Sequence, residues 1–417
     1  MKQIYLDNQS NTKIDERVFE AMKPFFFENY GNPQSIYSLG AVSKDALEES
    51  RAKVAALINA DPNEIIFTSC GTESNNLAIK GIANALKSSG KHIIVSAIEH
   101  FSVLNSAKAL EKEGFEITYL PVDNKGNVSE EELKKSLRSD TILVSIQLAN
   151  TEVGTIQNIK QLCKAAKQGG KATFHTDAVA AAGVIPVDVK DLGVDALSFS
   201  SSVIYGPKGA AALYLKKGTR VVPQLDGGVQ EFSKRAGTEN IPAIVGFAKA
   251  CEMAKEELVK NKTRLESLRN KLIAELPKKI EHIYLNGAPA NENRLPGNVN
   301  FSIEFVEGEA LFLMLDAKGI MAASGSACAN KNLKLSHVLN AMNVDVAVGQ
   351  GSILFTLSKY NNDEDISYVL EEFPKIVARL RDMSPLYSHF LATGERKKAG
   401  PGTDFDHDHD HCDIENN

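Results

Sequence analysis

Hydrophobic residues along the first part of the chain switch repeatedly between two spacings. Short, nearly continuous apolar runs read as buried strands. Stretches with apolar residues three and four apart read as amphipathic helices. On this pattern residues 64–68 predict a strand and 73–80 a helix, then 92–96 a strand and 103–113 a helix. Residues 117–120 predict a strand, and 129–137 a helix with Ser129 as N-cap and Glu132 completing a capping box. Residues 141–146 predict a buried strand, 159–167 a helix and 172–175 a further strand. Such alternation implies an α/β domain around a largely parallel sheet, with ligands at the carboxyl ends of the strands.

The pattern changes after Ala250. A long charged helix is expected over residues 251–276, followed by strands at 298–303 and 352–357 and helices at 309–315 and 363–381. This predicts a large α/β domain over residues 13–255 and a small α+β domain formed by residues 1–12 and 256–393. From Gly394 onward the composition turns to Gly, Pro and charge, and ends in alternating Asp and His; residues 394–417 are expected to be a disordered tail. The 417 residues are enough for a sizeable core, and 43% hydrophobic with 24% charged residues is ordinary for a globular protein. A net charge of -6 argues against a nucleic-acid binder. No apolar run is long enough to span a bilayer, and the first residues run directly into a strand without a targeting pattern. Five widely scattered cysteines suit a reducing cytoplasm rather than a disulfide framework.

Candidate chemistry sharpens the picture. Thr68-Ser69-Cys70-Gly71-Thr72-Glu73-Ser74-Asn75-Asn76 lies between a strand and a helix, where Gly71 and Thr72 offer backbone amides to an anion. Tyr5-Leu6-Asp7-Asn8, Tyr30-Gly31-Asn32-Pro33-Gln34-Ser35, Tyr205-Gly206-Pro207-Lys208-Gly209 and Ser324-Gly325-Ser326-Ala327-Cys328 occur in order around it. Together these motifs make the chain resemble the cysteine desulfurases of the IscS/NifS type over roughly residues 3–388. The resemblance implies the class V aminotransferase fold: an aspartate aminotransferase-like large domain with a mostly parallel sheet, plus a smaller α+β domain. It implies pyridoxal phosphate (PLP) as cofactor, L-cysteine as substrate and a homodimer. It also implies an iron–sulfur scaffold protein of the IscU type as partner.

Residue by residue, the resemblance assigns Gly71, Thr72 and Ser200 to the PLP phosphate, with Thr238 reaching it from the partner subunit. Asp177 corresponds to the carboxylate on the pyridine nitrogen, which makes the ring a better electron sink, and His100 to the imidazole stacked on the ring. Cys328 corresponds to the catalytic cysteine that becomes a persulfide, with Lys331 and Lys334 close enough in sequence to favour its thiolate.

Other positions depart from the family. Val203 stands where the lysine that holds PLP covalently is expected, and Ser202 where a His precedes it. Thr151 and Ala180 replace the Asn and Gln beside the phenolic oxygen, and Leu354 replaces the Arg that clamps the substrate carboxylate. Lys208 is ordinary at its place in the family and belongs to the turn. These departures resemble lysine-lacking archaeal members of the family.

Three functions follow as expectations. The first is a sulfur or cluster relay through Cys328, with an iron–sulfur cluster ligated there as a variant. The second is a desulfurase working with non-covalent PLP, although loss of a general base costs about 10²–10⁴-fold. The third is a non-catalytic binding partner. His407, His409, His411 and Cys412 in the tail form a candidate metal-binding tract.

Overall fold

The computed structural model describes residues 2–168, 170–324 and 335–396. Its strands are, in chain order, β1 (Ile4–Tyr5), β2 (Ile65–Thr68), β3 (His92–Ser96), β4 (Glu116–Leu120), β5 (Thr141–Ser145) and β6 (Thr173–Asp177). There follow β7 (Ala196–Ser200), β8 (Ala211–Leu215), β9 (Ile283–Leu285), β10 (Asn298–Ile303), β11 (Ile320–Met321) and β12 (Ser352–Thr356). Seven strands form the main sheet in the order β2-β8-β7-β6-β5-β3-β4. The run from β7 to β4 is parallel, whereas β8 pairs antiparallel with both β7 and β2.

Burial explains the sequence pattern. β3, β5, β7 and β8 are buried at every position, as expected where helices cover both faces of a sheet. β4 lies at the edge and is mostly exposed or half-buried. One apolar cluster, including Phe174, Phe199 and Phe247, and a second, including Ile79, Ile93 and Leu143, account for the large-sheet core.

A separate core is built on the antiparallel sheet β12-β10-β9 and the helix Asp363–Asp382, with Phe301, Phe355 and Phe373 at its centre. The N-terminal strand joins this part: β1 pairs parallel with β11, and Asp7 bridges to Thr356. One helix, Ile241–Lys279, runs between the cores. Its Phe247, Cys251 and Met253 pack with the large sheet, and its Leu265, Leu268, Leu272 and Leu276 pack in the second core.

Three expectations need correction. The long helix starts ten residues before the expected 251, at Ile241, and spans 39 residues. Its first turns are buried and carry few charges, so they lack the charged face that marks the rest; Asn240 caps it through the Ala243 amide at 3.3 Å. The capping box at Ser129 is only half made: its hydroxyl accepts from the Glu131 and Glu132 amides, but the Glu132 carboxylate binds Lys135 at 2.7 Å instead. Finally, order does not stop at residue 393. Gly394 adopts a left-handed φ of 71° to cap the helix Pro385–Thr393, and Arg396 pairs with Glu304 at 3.1 Å.

Candidate functional site

The carboxyl ends of β3, β5, β6 and β7 open into a cavity of about 480 Å³, whose wall includes Gly71, Thr72, His100, Asp177, Ser200, Ser202 and Val203. The N-terminal loop contributes Gln9, Ser10 and Asn11, the side of the second core contributes Ala323, Ser324 and Leu354, and His337 comes from a helix packed against the large-sheet core, with its ring 4.5 Å from that of Phe101. The cavity therefore lies between the two halves of the fold.

One wall is built to receive an anion. The helix Gly71–Leu86 begins there, and the amides of its first turn have no intrahelical acceptor. The Cys70 thiol caps it by accepting from the Glu73 amide at 3.4 Å. The Glu73 carboxylate turns back to the Ser69 amide at 2.8 Å and is itself paired with Arg235 at 2.8 Å. Gly71 is required by packing, because a Cβ there would sit 2.7 Å from Cγ2 of Val179. Ser200, at the end of β7, and Ser202, two residues on, bring hydroxyls 3.2 Å apart to the same cavity.

Asp177 ends β6 and is buried. One carboxylate oxygen accepts from the Val179 amide at 2.9 Å and the other from the Asn75 side chain at 2.7 Å. Burial raises its pKa, while these two bonds pull it back. The other Asn75 amide hydrogen goes to the Ser102 hydroxyl at 2.8 Å, which lies 2.7 Å from Nδ1 of His100. The Ser102 backbone amide donates to the same Nδ1 at 3.1 Å. Nδ1 must therefore accept, which leaves the proton of neutral His100 on Nε2. Sequence reading singled out Asp177 and His100 but missed Asn75 and Ser102, which connect them. Asn75 lies inside the quoted Thr68 to Asn76 segment, so its motif was visible although its role was not.

Two further carboxyls were missed. Glu99 is fully buried; one oxygen accepts from the Ser96 hydroxyl at 2.6 Å and the Gln147 amide at 2.7 Å, and burial pushes its pKa up to about 8. Glu152 accepts from the Ser336 hydroxyl at 2.6 Å, and burial pushes it up to about 7. Both line the cavity. Each adjoins a residue that the sequence did single out, His100 and Thr151.

The altered positions do not all lie together. Val203, Thr151 and Leu354 line the cavity, and Val203 is only 8% exposed. Ala180 instead lines a small adjoining cavity behind Val203, with Ile204, Met253 and Leu357. Thr238 is exposed and lies off the cavity wall of its own chain. Lys208 faces a different groove, beside Lys13 and Tyr360. Among the described residues on the cavity wall there is neither a lysine nor an arginine.

The Tyr205 turn holds the architecture together. Tyr205 takes a φ of +66°, its amide donates to the Thr12 hydroxyl at 2.8 Å, and its own hydroxyl accepts from the Lys359 amide at 2.8 Å. A Cβ on Gly206 would lie 2.0 Å from the Ser201 hydroxyl. This turn thus ties the N-terminal loop and the second core to the end of β7, whatever stands at 203.

The residues present fit PLP in part. The anion wall and the Asp177 carboxylate match its phosphate and ring nitrogen, but no described amine stands at the wall to bind it covalently. Cys328, Lys331 and Lys334 lie outside the described residues, as do His407, His409, His411 and Cys412. Ser324 and His337, on either side of the segment that carries Cys328, both line the cavity. Among the described residues no cluster of His, Cys, Asp or Glu has metal-binding geometry. Cys163 and Cys251 are buried with raised pKa values, Cys163 up to about 11, and serve packing.

A sheet of this topology with a ligand cavity at its carboxyl ends defines a class, and sequence comparison agrees with it: residues 4–369 match the aminotransferase class-V family. Cysteine desulfurase IscS of Dictyoglomus turgidum is 51% identical over 384 residues, covering 92% of this chain and 97% of that protein. Cysteine desulfurase IscS of Methanosarcina thermophila is 50% identical, covering 92% and 94% respectively. A solved NifS-like protein superposes with a TM-score of 0.85 at 38% identity over 91% of this chain and all of its own. The chain belongs to the class-V aminotransferase family, among the cysteine desulfurases of the IscS/NifS type.

Proposed function

We propose that this protein works in iron–sulfur cluster assembly as a sulfur carrier, passing sulfur through Cys328 to a scaffold protein of the IscU type. It holds PLP reversibly, without a covalent link. The observation that carries this reading is Val203, buried at the cavity wall, with no lysine or arginine among the described residues around it.

In this reading the Gly71 and Thr72 amides and the Ser200 hydroxyl hold the phosphate, joined by Thr238 from a partner subunit. Asp177 faces the ring nitrogen, and PLP, when bound, would supply an electron sink. His100 carries its proton on Nε2. Leu354 gives an amino-acid carboxylate no ionic partner, so L-cysteine is held poorly. Sulfur then reaches Cys328 by exchange: the thiolate attacks the outer sulfur of a low-molecular-weight persulfide, forming a protein persulfide and releasing the donor thiol. A cluster ligated by Cys328, and metal on the His and Asp tail, remain variants of the same relay.

Exposed apolar residues support the dimer. Ile36, Val229 and Phe232 are exposed and line one groove, and Phe26, Phe27 and Tyr30 are exposed as well. Among the described residues no helix is long and apolar enough to cross a membrane, and we place the relay in the cytoplasm.

A second reading is favoured by one observation. The chain of hydrogen bonds from His100 through Ser102 and Asn75 to Asp177 is complete. That network would serve a slow desulfurase with non-covalent PLP. The test is to incubate the protein with glutathione persulfide and weigh the Cys328 peptide. The relay predicts one added sulfur atom, transferred onward when scaffold protein is supplied. An unmodified Cys328 contradicts it and leaves the slow desulfurase or a purely binding role.

A further inference from the structure

His337 lines the cavity but belongs neither to the anion wall nor to the hydrogen bonds that join His100 to Asp177. It opens the helix His337–Ala341, whose N-cap Ser336 accepts from the Val338 amide at 3.1 Å and donates to Glu152 at 2.6 Å. Its ring packs on that of Phe101, 4.5 Å away at 44°. Its Nε2 stands 2.9 Å from the backbone carbonyl of Glu99. A carbonyl oxygen only accepts, so Nε2 carries the proton, and in the neutral ring Nδ1 carries the lone pair. Among the described residues none bonds to Nδ1. One nitrogen is thus tied to the backbone, and the other is left as an unused acceptor on a half-buried cavity residue.

The groups around it do not duplicate this lone pair. The other described titratable residues on the wall are Cys70, Glu99, His100, Glu152 and Asp177. His100 has the opposite tautomer: Ser102 donates to its Nδ1, so it presents an N–H. Asp177 accepts from Val179 and Asn75, Glu99 from Ser96 and Gln147, and Glu152 from Ser336. The Cys70 thiol accepts from the Glu73 amide. Among the described residues no carboxylate pairs with the His337 ring. Burial lowers its pKa, so the ring is neutral near pH 7 and ready to take a proton.

From this placement, and resting on the sulfur-carrier reading above, we propose that His337 is the general base of the cavity and acts on thiols. The attacking thiol gives its proton to Nδ1 as its sulfur bonds to the outer sulfur of the donor persulfide. The sulfur–sulfur bond of the donor breaks, and the leaving thiolate takes the proton back from Nδ1. One thiol and one persulfide enter and one of each leaves, so the exchange needs no outside oxidant or reductant. A base matters only while the thiol holds its proton. An ordinary thiol has a pKa of about 8.5 and is ionised to only a few per cent at pH 7. The contribution of His337 is therefore largest near neutral pH and vanishes in alkali.

The experiment compares the full chain with His337→Gln and His337→Ala from about pH 6.5 to about pH 10. Glutamine can return an N–H to the Glu99 carbonyl but offers no base, and an unchanged thermal midpoint reports that the fold is kept. Two rates are read at each pH: gain of sulfur by the Cys328 peptide from glutathione persulfide, and alkylation of the same peptide by iodoacetamide. The expected result is a loss of about tenfold in both rates near pH 7 for either variant, closing by about pH 10. Added imidazole should restore much of the rate of His337→Ala, because a small base replaces a lost proton acceptor but not lost packing. An equal loss at every pH, without rescue by imidazole, overturns the proposal and leaves His337 a structural role. Variants as fast as the parent at pH 7 overturn it too. If the parent gains no sulfur but its alkylation shows the expected gap, the sulfur-carrier reading fails and the base stands. If alkylation shows no gap, the base fails whatever the sulfur result.

Discussion

Val203 carries the largest consequence of any single residue here. Its side chain packs into the apolar cluster behind the cavity, so the position is built as core. Val203→Lys should restore a covalent site: after PLP and borohydride, mass spectrometry should find the adduct on residue 203 in the variant and nowhere in the parent chain. An adduct on the parent chain would mean that another lysine reaches in.

Glu99 gives a prediction about pH. Its folded-state pKa is raised to about 8 by burial, against about 4.3 when unfolded. Between these values the folded state holds a proton that the unfolded state has lost, so stability falls as pH rises through that window. Glu99→Gln should therefore stabilise the ligand-free protein at pH 9 relative to pH 5, read from thermal midpoints at both. A parallel shift at the two pH values would contradict the assignment.

At this scale the sequence was informative where a motif named a residue. It named Asp177, His100, Gly71 and Val203, which the fold brings to one cavity. It did not reveal Asn75, Ser102, Glu99 or Glu152 as wall residues, because their roles depend on which loops meet, and spacing along the chain does not encode that.

Among the elements, the strands and helices with clear periodicity were legible to within a few residues. β8 was not read as a strand, because Ala-Ala-Leu-Tyr-Leu is a short apolar run with no alternation, and its antiparallel place beside β7 is set by the Tyr205 turn. The front of the long helix was hidden for the related reason that it is buried on most sides. The anion wall yields an element-scale test. Gly71→Ala pushes a methyl against Val179, and overpacking of this kind costs about 1–3 kcal/mol. Urea denaturation should show that loss, and Val179→Ala in the same chain should recover most of it. Independent, additive losses would mean that the two residues do not press on one another.

For the whole molecule, the α/β class and its mostly parallel sheet were readable from alternation alone. The second core, closed by strands distant in sequence, was readable only in outline. Phe27 and Ile36 are both exposed, and Ile36 shares a groove with Val229 and Phe232, which composition does not show. For the dimer proposed above, replacing Phe27 and Ile36 with Asp should halve the mass measured by light scattering. An unchanged dimer would place the interface elsewhere.

The central claim is that the desulfurase fold and sulfur-carrying cysteine operate here without covalent cofactor chemistry on L-cysteine. The most direct measurement is the alanine released from L-cysteine by the purified chain with added PLP. The account predicts no more alanine than from the Cys328→Ala variant. Steady alanine release that disappears in Cys328→Ala would contradict it and identify a working desulfurase.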